Sequence, residues 1–361
     1  MSIWNTYPSD YRSAETHTIL AAVRAGECVS VVGLSGAGKS NLLGFMAHRC
    51  STAECRLVLV DCNRLSERTP AVFFRLIRQQ LGDGGDWGNI GNEFEAMDAA
   101  MERQLSNSDA SSSICLLFDR FDALPVETEA VLTNNLRALR DAHKFQLTFA
   151  TGTRLPLPIE TELGELFQAH VLWLGPLSES DARWNVARYA ERKQQRWDDA
   201  TAERLITVSG RYPAFLRAAC EAYADGIELE VKSLLAHPGV QARLKEFWSD
   251  SPSDDDLRRF RLADNPLLTA ARPPSFDTTQ LTAKEHLLLN YFLAHPEVIC
   301  EKDDLIRAVW PEDRVFERGV RDDSLAQLMR RLREKIEPDP SNPRYIHTVP
   351  GRGYRFVLSR G

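Results

Sequence analysis

GLSGAGKS, residues 33–40, lies between the apolar run ECVSVV (27–32) and the amphipathic run NLLGFMAHRC (41–50). Gly33, Gly38, Lys39 and Ser40 meet the spacing G-x-x-x-x-G-K-[ST]. At average residue frequencies these four positions coincide by chance in on the order of one chain in a hundred of this length. The flanks reduce chance further, because the pattern requires a strand directly before the loop and a helix directly after it. Glycine lets the backbone curl so that the N–H groups of Ser35, Gly36, Ala37 and Gly38 face inward around phosphate oxygens, and the next helix adds its positive end. Lys39 is then expected to reach the β- and γ-phosphates, Ser40 to ligate magnesium, and Asn41 to complete the first helical turn. The pattern predicts a site for ATP or ADP with Mg2+.

Working outward, short β-rich runs alternate with longer amphipathic stretches over the first two hundred residues, which predicts an α/β fold with a parallel sheet covered by helices. Strands are expected near Cys28–Val32, Leu57–Asp61, Ile114–Asp119, Gln146–Thr151 and His170–Leu174, and the serine-rich run 106–113 is expected to be a loop. ICLLFDRFD (114–122) reads as a buried strand whose terminal Asp119 can hold magnesium with Ser40, and Asp122 is placed to orient or deprotonate an attacking water. TGTR (151–154) puts Arg154 where it either meets the γ-phosphate, with Thr153 assisting, or is an ordinary solvated arginine. Arg137 and Arg140 are expected on an exposed helical face, with reach to a neighbouring subunit's nucleotide as the alternative.

A chain of 361 residues is too long for one small core, and 43% hydrophobic with 26% charged content suits soluble globular domains. No apolar run reaches the roughly 18 residues of a membrane span, and the N-terminus carries no basic-then-apolar leader, so a cytoplasmic protein with no membrane partner is expected. Seven scattered cysteines read as reduced thiols, and His48, Cys50, Cys55 and Cys62 fit no common zinc spacing. From Ser178 to Tyr223 the apolar spacing turns helical, and SPSDDDLRRF (251–260) and ARPPS (271–275) read by composition as connecting chain. The expected division is 1–175 for the sheet domain, 176–265 for a helical lid and connecting helices, 266–275 for a linker and 276–361 for a last domain.

The last domain is charged unevenly within a chain of net charge −7: Ser324–Gly361 holds eight basic residues against three acidic, a local +5, whereas Phe276–Asp323 holds six against eleven. QLTAKEHLLLNYFLAHPE opens with Thr282 and Glu285 in capping-box spacing and places Leu287, Leu288, Tyr291 and Phe292 on one face. KDDLIRAVW supplies a second helix, and DSLAQLMRRLREKIE a third, opened by Ser324 and Gln327. On the third, Leu325, Met329, Leu332 and Ile336 point inward while Gln327, Arg330, Arg331 and Glu334 point out. NPRYIHTVPGRGYRFVLS then reads as two strands about a turn with Arg352 at its tip, so the whole is a winged helix. Ser324, Gln327 and Arg331 are placed to reach base edges, and Arg330, Arg333 and Arg352 to hold phosphates of double-stranded DNA. Protein docking is the alternative use of such a domain.

Over about residues 10–225 the chain resembles the STAND class of AAA-like signalling ATPases, on YRSAE (11–15), GLSGAGKS, LLFDRFD, FATGTR and SGRYPAFL (209–216). The resemblance implies a strand order of 5-1-4-3-2, an Arg154 that points into the site, Arg12 and Pro213 beside the nucleotide, and a switch between a closed ADP state and an open, homo-oligomeric ATP state. Gly210 and Pro213 stand two residues apart where that class has one. Over about 276–359 the chain resembles the OmpR/PhoB-type winged helix, on its ToxR/CadC-like side, with a shortened N-terminal sheet and Glu301 where a small N-cap is common. Together these imply a slow ATPase that acts as a switch in an ATP-dependent regulator of transcription, responding to a signal or protein partner not named by the sequence. A DNA-loading or remodelling ATPase and a nucleotide-gated scaffold remain alternatives.

Overall fold

Strand β1 (Val29–Val32) is buried along its whole length, as a sheet covered on both faces requires. It pairs in parallel with β4 (Leu147–Thr153) on one side and β5 (Val171–Trp173) on the other, and β3 (Ser113–Asp119) and β2 (Cys55–Asp61) continue beyond β4. The order β2-β3-β4-β1-β5 is the expected 5-1-4-3-2 counted from the other edge. This computed structural model describes residues 3–83, 92–106, 112–123, 126–158, 164–272, 276, 278–310 and 320–357. Of the serine-rich run 106–113, residues 107–111 lie outside these.

Period-two alternation divides the core between the two faces. In β3, Cys115 and Leu117 join helices α1 (Ser13–Arg24) and α2 (Lys39–Arg49), whereas Ile114, Leu116 and Phe118 join α3 (Pro70–Leu81), α4 (Glu93–Ser106) and α5 (Val126–Ala142). In the register Asp61 faces Asp119, Asp119 faces Gly152 and Thr153 faces Val32, so the carboxyl ends of four strands finish level. Ligand crevices of α/β sheets form at that edge.

Helices α6 (Glu179–Arg192), α7 (Asp199–Ser209), α8 (Pro213–Ala224), α9 (Val231–Ala236) and α10 (Pro238–Trp248) follow, and their apolar faces join the α1/α2 core. The charge-rich stretch read as connecting chain is folded instead. Ser253 and Asp256 form a capping box that opens α11 (Asp254–Arg259), and Leu257 and Phe260 are buried. Pro266–Ala270, inside the expected linker, is helix α12: the Asn265 side-chain Oδ1 caps it by accepting from the N–H groups of Leu267 and Leu268, and both leucines are buried. Composition missed this because the acids face water while two or three apolar residues do the anchoring. The first compact unit runs from Met1 to Ala271 and the second from Arg272 to Gly361.

The second unit contains α13 (Ala283–Ala294), β6 (Ile299–Glu301), α14 (Lys302–Val309), α15 (Val320–Ile336), β7 (Ile346–Val349) and β8 (Gly353–Phe356), with an antiparallel sheet of order β6-β8-β7. The Thr282/Glu285 capping box is present, and Lys335 reaches the Glu285 carboxylate at 2.6 Å. On α13 the buried stripe is Leu288, Leu289 and Phe292; Leu287, expected on one face with Leu288 and Phe292, is 45% exposed. Helix α15 starts four residues before Ser324, so Ser324 lies within the helix and is not its N-cap. Strand β6, three residues long, carried no readable pattern and appears because β8 offers it an edge.

Candidate nucleotide site and nucleic-acid interface

Gly36 and Gly38 adopt left-handed φ values of 85° and 89°, and α2 opens at Lys39 with no side-chain cap. The N–H groups of its first turn are thus left for an anionic ligand. A cleft of about 650 Å3 is lined by Ser35, Gly36, Gly38, Lys39, Ser40 and Asn41 together with Asp122, Arg154 and Pro213. Gly33 and Ala37 shape the loop from behind, with Gly33 continuing the ladder through its N–H to the Thr153 carbonyl at 3.0 Å. The Lys39 ammonium donates to the Gly33 carbonyl and lies 3.5 Å from that of Leu34. Burial lowers its pKa, opposed by the carboxylates of Asp122, Asp250 and Asp119.

Asp119 ends β3 beneath the cleft, buried, with Oδ1 lacking any hydrogen-bond partner. Burial raises its pKa, and the Ser40 hydroxyl pulls the other way. A buried, unpartnered carboxylate oxygen beside a hydroxyl is the donor set a phosphate-bound magnesium ion uses, so the residues fit that ion. Thr153 is fully buried, its hydroxyl likewise unpartnered.

Arg154 emerges from β4 beside the loop because β4 lies between β1 and β3. Its N–H and Nε both donate to Asp122 Oδ2 at 3.0 Å, and the hydrogen bond and charge of Asp122 raise the arginine's pKa. Asp122 and Arg154 therefore form one ion pair at the cleft. Arg12 is placed differently from its expected position at the nucleotide. It is buried behind the loop, where Nη2 donates to the carbonyls of Ala37 (3.0 Å) and Gly175 (3.2 Å) and Nη1 to Glu15. It braces the loop rather than lining the cleft. Arg140, expected on an exposed face, is buried and donates to the Gly26 carbonyl at 2.8 Å, while Arg137 pairs with Asp141 and Glu165.

Pro213 begins α8 against Gly38, whereas Gly210 is the left-handed C-cap of α7, packed on Asn265. Three lid contacts on the loop were not legible in the sequence. The Tyr212 hydroxyl donates to the Ser35 carbonyl at 2.8 Å, the Ala214 N–H to the Gly36 carbonyl at 3.2 Å, and Asp250 accepts from the Ser35 N–H at 2.6 Å. Tyr212 sits in GRYP, which signals only a turn, and Asp250 stands among other acids with no motif of its own. Arg217 and Arg243 also line the cleft.

In the second unit, α15 buries Leu325, Met329, Leu332 and Ile336 and exposes Ser324, Gln327, Arg330, Arg331 and Glu334. Arg330 pairs with Glu334 at 2.9 Å on the open surface. Arg333, grouped by sequence with the phosphate contacts, turns toward the wing: its guanidinium donates to the Ile346 carbonyl at 2.7 Å and the Thr348 hydroxyl at 2.9 Å and lies over Tyr354. The wing's base is tied to the helix's end by the buried Glu337 carboxylate, which accepts the N–H groups of Arg344, Tyr345 and Ile346. Arg352 is exposed at the turn between β7 and β8. Exposed donors on a helix with a braced hairpin beside it form a surface suited to a nucleic-acid groove.

The AAA domain family matches residues 23–156, and the family described as the C-terminal part of transcriptional regulatory proteins matches residues 277–356. Among curated relatives, the transcriptional regulatory protein YvrH of Bacillus subtilis is 46% identical over 70 residues, 19% of this chain and 28% of the relative. The regulatory protein VirG of Rhizobium rhizogenes is 34% identical over 140 residues, 36% of this chain and 56% of the relative. The chain thus spans about half or less of the length of these relatives. Among solved structures, the Walker-type ATPase of Pyrococcus abyssi is 12% identical at a TM-score of 0.45, covering 96% of this chain and 93% of that one. The Thermotoga maritima RuvB branch migration motor is 14% identical at 0.38, covering 99% and 92%. Among the described residues no helix is long and apolar enough to cross a membrane.

Proposed function

We propose that this chain, an AAA-type P-loop ATPase domain joined to a winged helix of the OmpR/PhoB transcriptional-regulator type, is a nucleotide-switched regulator of transcription. The observation that carries the reading is that one polypeptide holds both a phosphate loop flanked by Asp119, Asp122 and Arg154 and a winged helix with an exposed basic face. The loop amides, Lys39 and Arg154 hold the phosphates of ATP or ADP, and Ser40 and Asp119 hold Mg2+. Magnesium supplies charge neutralisation of the β- and γ-phosphates. Asp122 orients water, and its ion pair with Arg154 holds that carboxylate in place. The exposed residues of α15 and Arg352 at the wing meet double-stranded DNA in the cytoplasm.

The STAND-like likeness supports slow hydrolysis and a homo-oligomer in the ATP state, answering to a signal or protein partner. Linked copies of a modest DNA reader gain strongly from shared attachment, because each bound copy raises the effective concentration of the next. The test measures mass and DNA protection of the purified protein with ADP, ATP and a slowly hydrolysed analogue, beside Lys39→Ala. ATP-dependent assembly that is lost in Lys39→Ala while DNA binding survives is the expected result. Equal assembly of both proteins with ATP removes the switch.

A further inference from the structure

Asp250 follows helix α10, and its side chain is 3% exposed. Oδ2 accepts the Ser35 N–H of the phosphate loop at 2.6 Å. Oδ1 has no hydrogen-bond partner and lies 3.6 Å from Nη1 of Arg154. The lid therefore sends one buried negative charge to a loop amide and to the arginine that follows β4, and Lys39 feels that charge as well. Of the two, Arg154 stands where an arginine meets a γ-phosphate, whereas the loop amides cradle the inner phosphates and Lys39 reaches the β- and γ-phosphates.

We propose that Asp250 is the residue by which the cleft distinguishes triphosphate from diphosphate, its carboxylate holding the Ser35 N–H and facing Arg154 until a γ-phosphate takes the arginine. This rests on the nucleotide reading above. A diphosphate leaves the carboxylate in place, so the end of α10 stays latched to the loop. A triphosphate brings a further anion to Arg154, whose Nε already pairs with Asp122 at 3.0 Å, and its γ-phosphate repels the Asp250 carboxylate 3.6 Å from that guanidinium. The carboxylate leaves, and the latch at residue 35 opens while Tyr212 and Ala214 still hold the loop from α8 and the residue before it. The energy that expels Asp250 is taken from triphosphate binding, which lowers its affinity relative to diphosphate.

The test uses the full chain with Mg2+ and measures dissociation constants for ADP and a slowly hydrolysed ATP analogue, in wild type, Asp250→Ala and Asp250→Asn. Loss of the competing charge is expected to raise the affinity for the analogue relative to ADP by about tenfold in the alanine variant, the scale of one charge-assisted hydrogen bond. The asparagine variant, which preserves shape, is expected to show part of that rise. In wild type, hydrogen exchange of peptides covering residues 244–252 is expected to be faster with the analogue than with ADP, a readout that needs no variant. An unchanged ratio, equal tightening of both nucleotides, or identical exchange in the two states overturns the assignment. Wild type that binds neither nucleotide refutes the nucleotide reading itself, and this inference with it.

Discussion

Gly36→Ala probes whether the lid holds the phosphate loop. Gly36 has φ 85°, and a Cβ there would lie 2.4 Å from the Cβ of Ala214 and 3.4 Å from a Tyr212 ring carbon. A left-handed alanine costs roughly 1–2 kcal/mol, and forcing a methyl into packed atoms typically adds about 1–3 kcal/mol. The sum is about 2–5 kcal/mol, and at about 2–4 °C per kcal/mol for a unit this size the melting temperature should fall by about 4–20 °C. Gly82→Ala is the control: φ is 74° but nothing lies within 4 Å of the added methyl, so only the conformational part is lost. Thermal denaturation of both variants without nucleotide separates the two contributions. Equal melting temperatures for Gly36→Ala and Gly82→Ala would refute the close contact between loop and lid.

Two further outcomes follow from burial and charge. Asp119 has a folded pKa above its unfolded value, so its contribution to stability is fully present below about pH 4 and is lost as pH rises through the raised folded pKa. Asp119→Asn should therefore stabilise the nucleotide-free protein at neutral pH and flatten its stability profile above pH 4, about, while magnesium-dependent nucleotide affinity falls; a lower melting temperature at pH 7 in denaturation scans contradicts this. On the second unit, Arg330→Ala should weaken DNA binding across sequences and reduce the salt slope by about one. Arg333→Ala should instead loosen the wing, lowering thermal stability as well as binding, and equal stability of the two variants in melts of the full chain speaks against the wing-bracing role of Arg333.

Local pattern carried the positions of β1 to β5, the loop, Asp119 and Arg154, because each depends on residues adjacent in sequence: a β-rich run, a glycine spacing, a strand's last carboxylate. It carried the winged helix for the same reason, since a capping box, an apolar stripe and a turn are short-range signals. It failed where partners are far apart. Arg12 meets the Gly175 carbonyl, Tyr212 and Asp250 meet Ser35, and Arg333 meets Ile346, and no spacing rule links those positions. The helix at 266–270 stood in the expected linker because proline and short apolar runs read by composition as connecting chain, while Leu267 and Leu268 are in fact buried.

The amino-acid order alone set out the candidate chemistry: a glycine spacing for a backbone cradle, a carboxylate at a strand's end, a basic helix beside a hairpin. Tertiary structure decided what each charged group is spent on. A guanidinium or carboxylate reaches several ångströms in any direction, and only the packing of distant helices settles whether it faces the cleft, as Arg154 does, or is consumed by a carbonyl behind it, as Arg12 is.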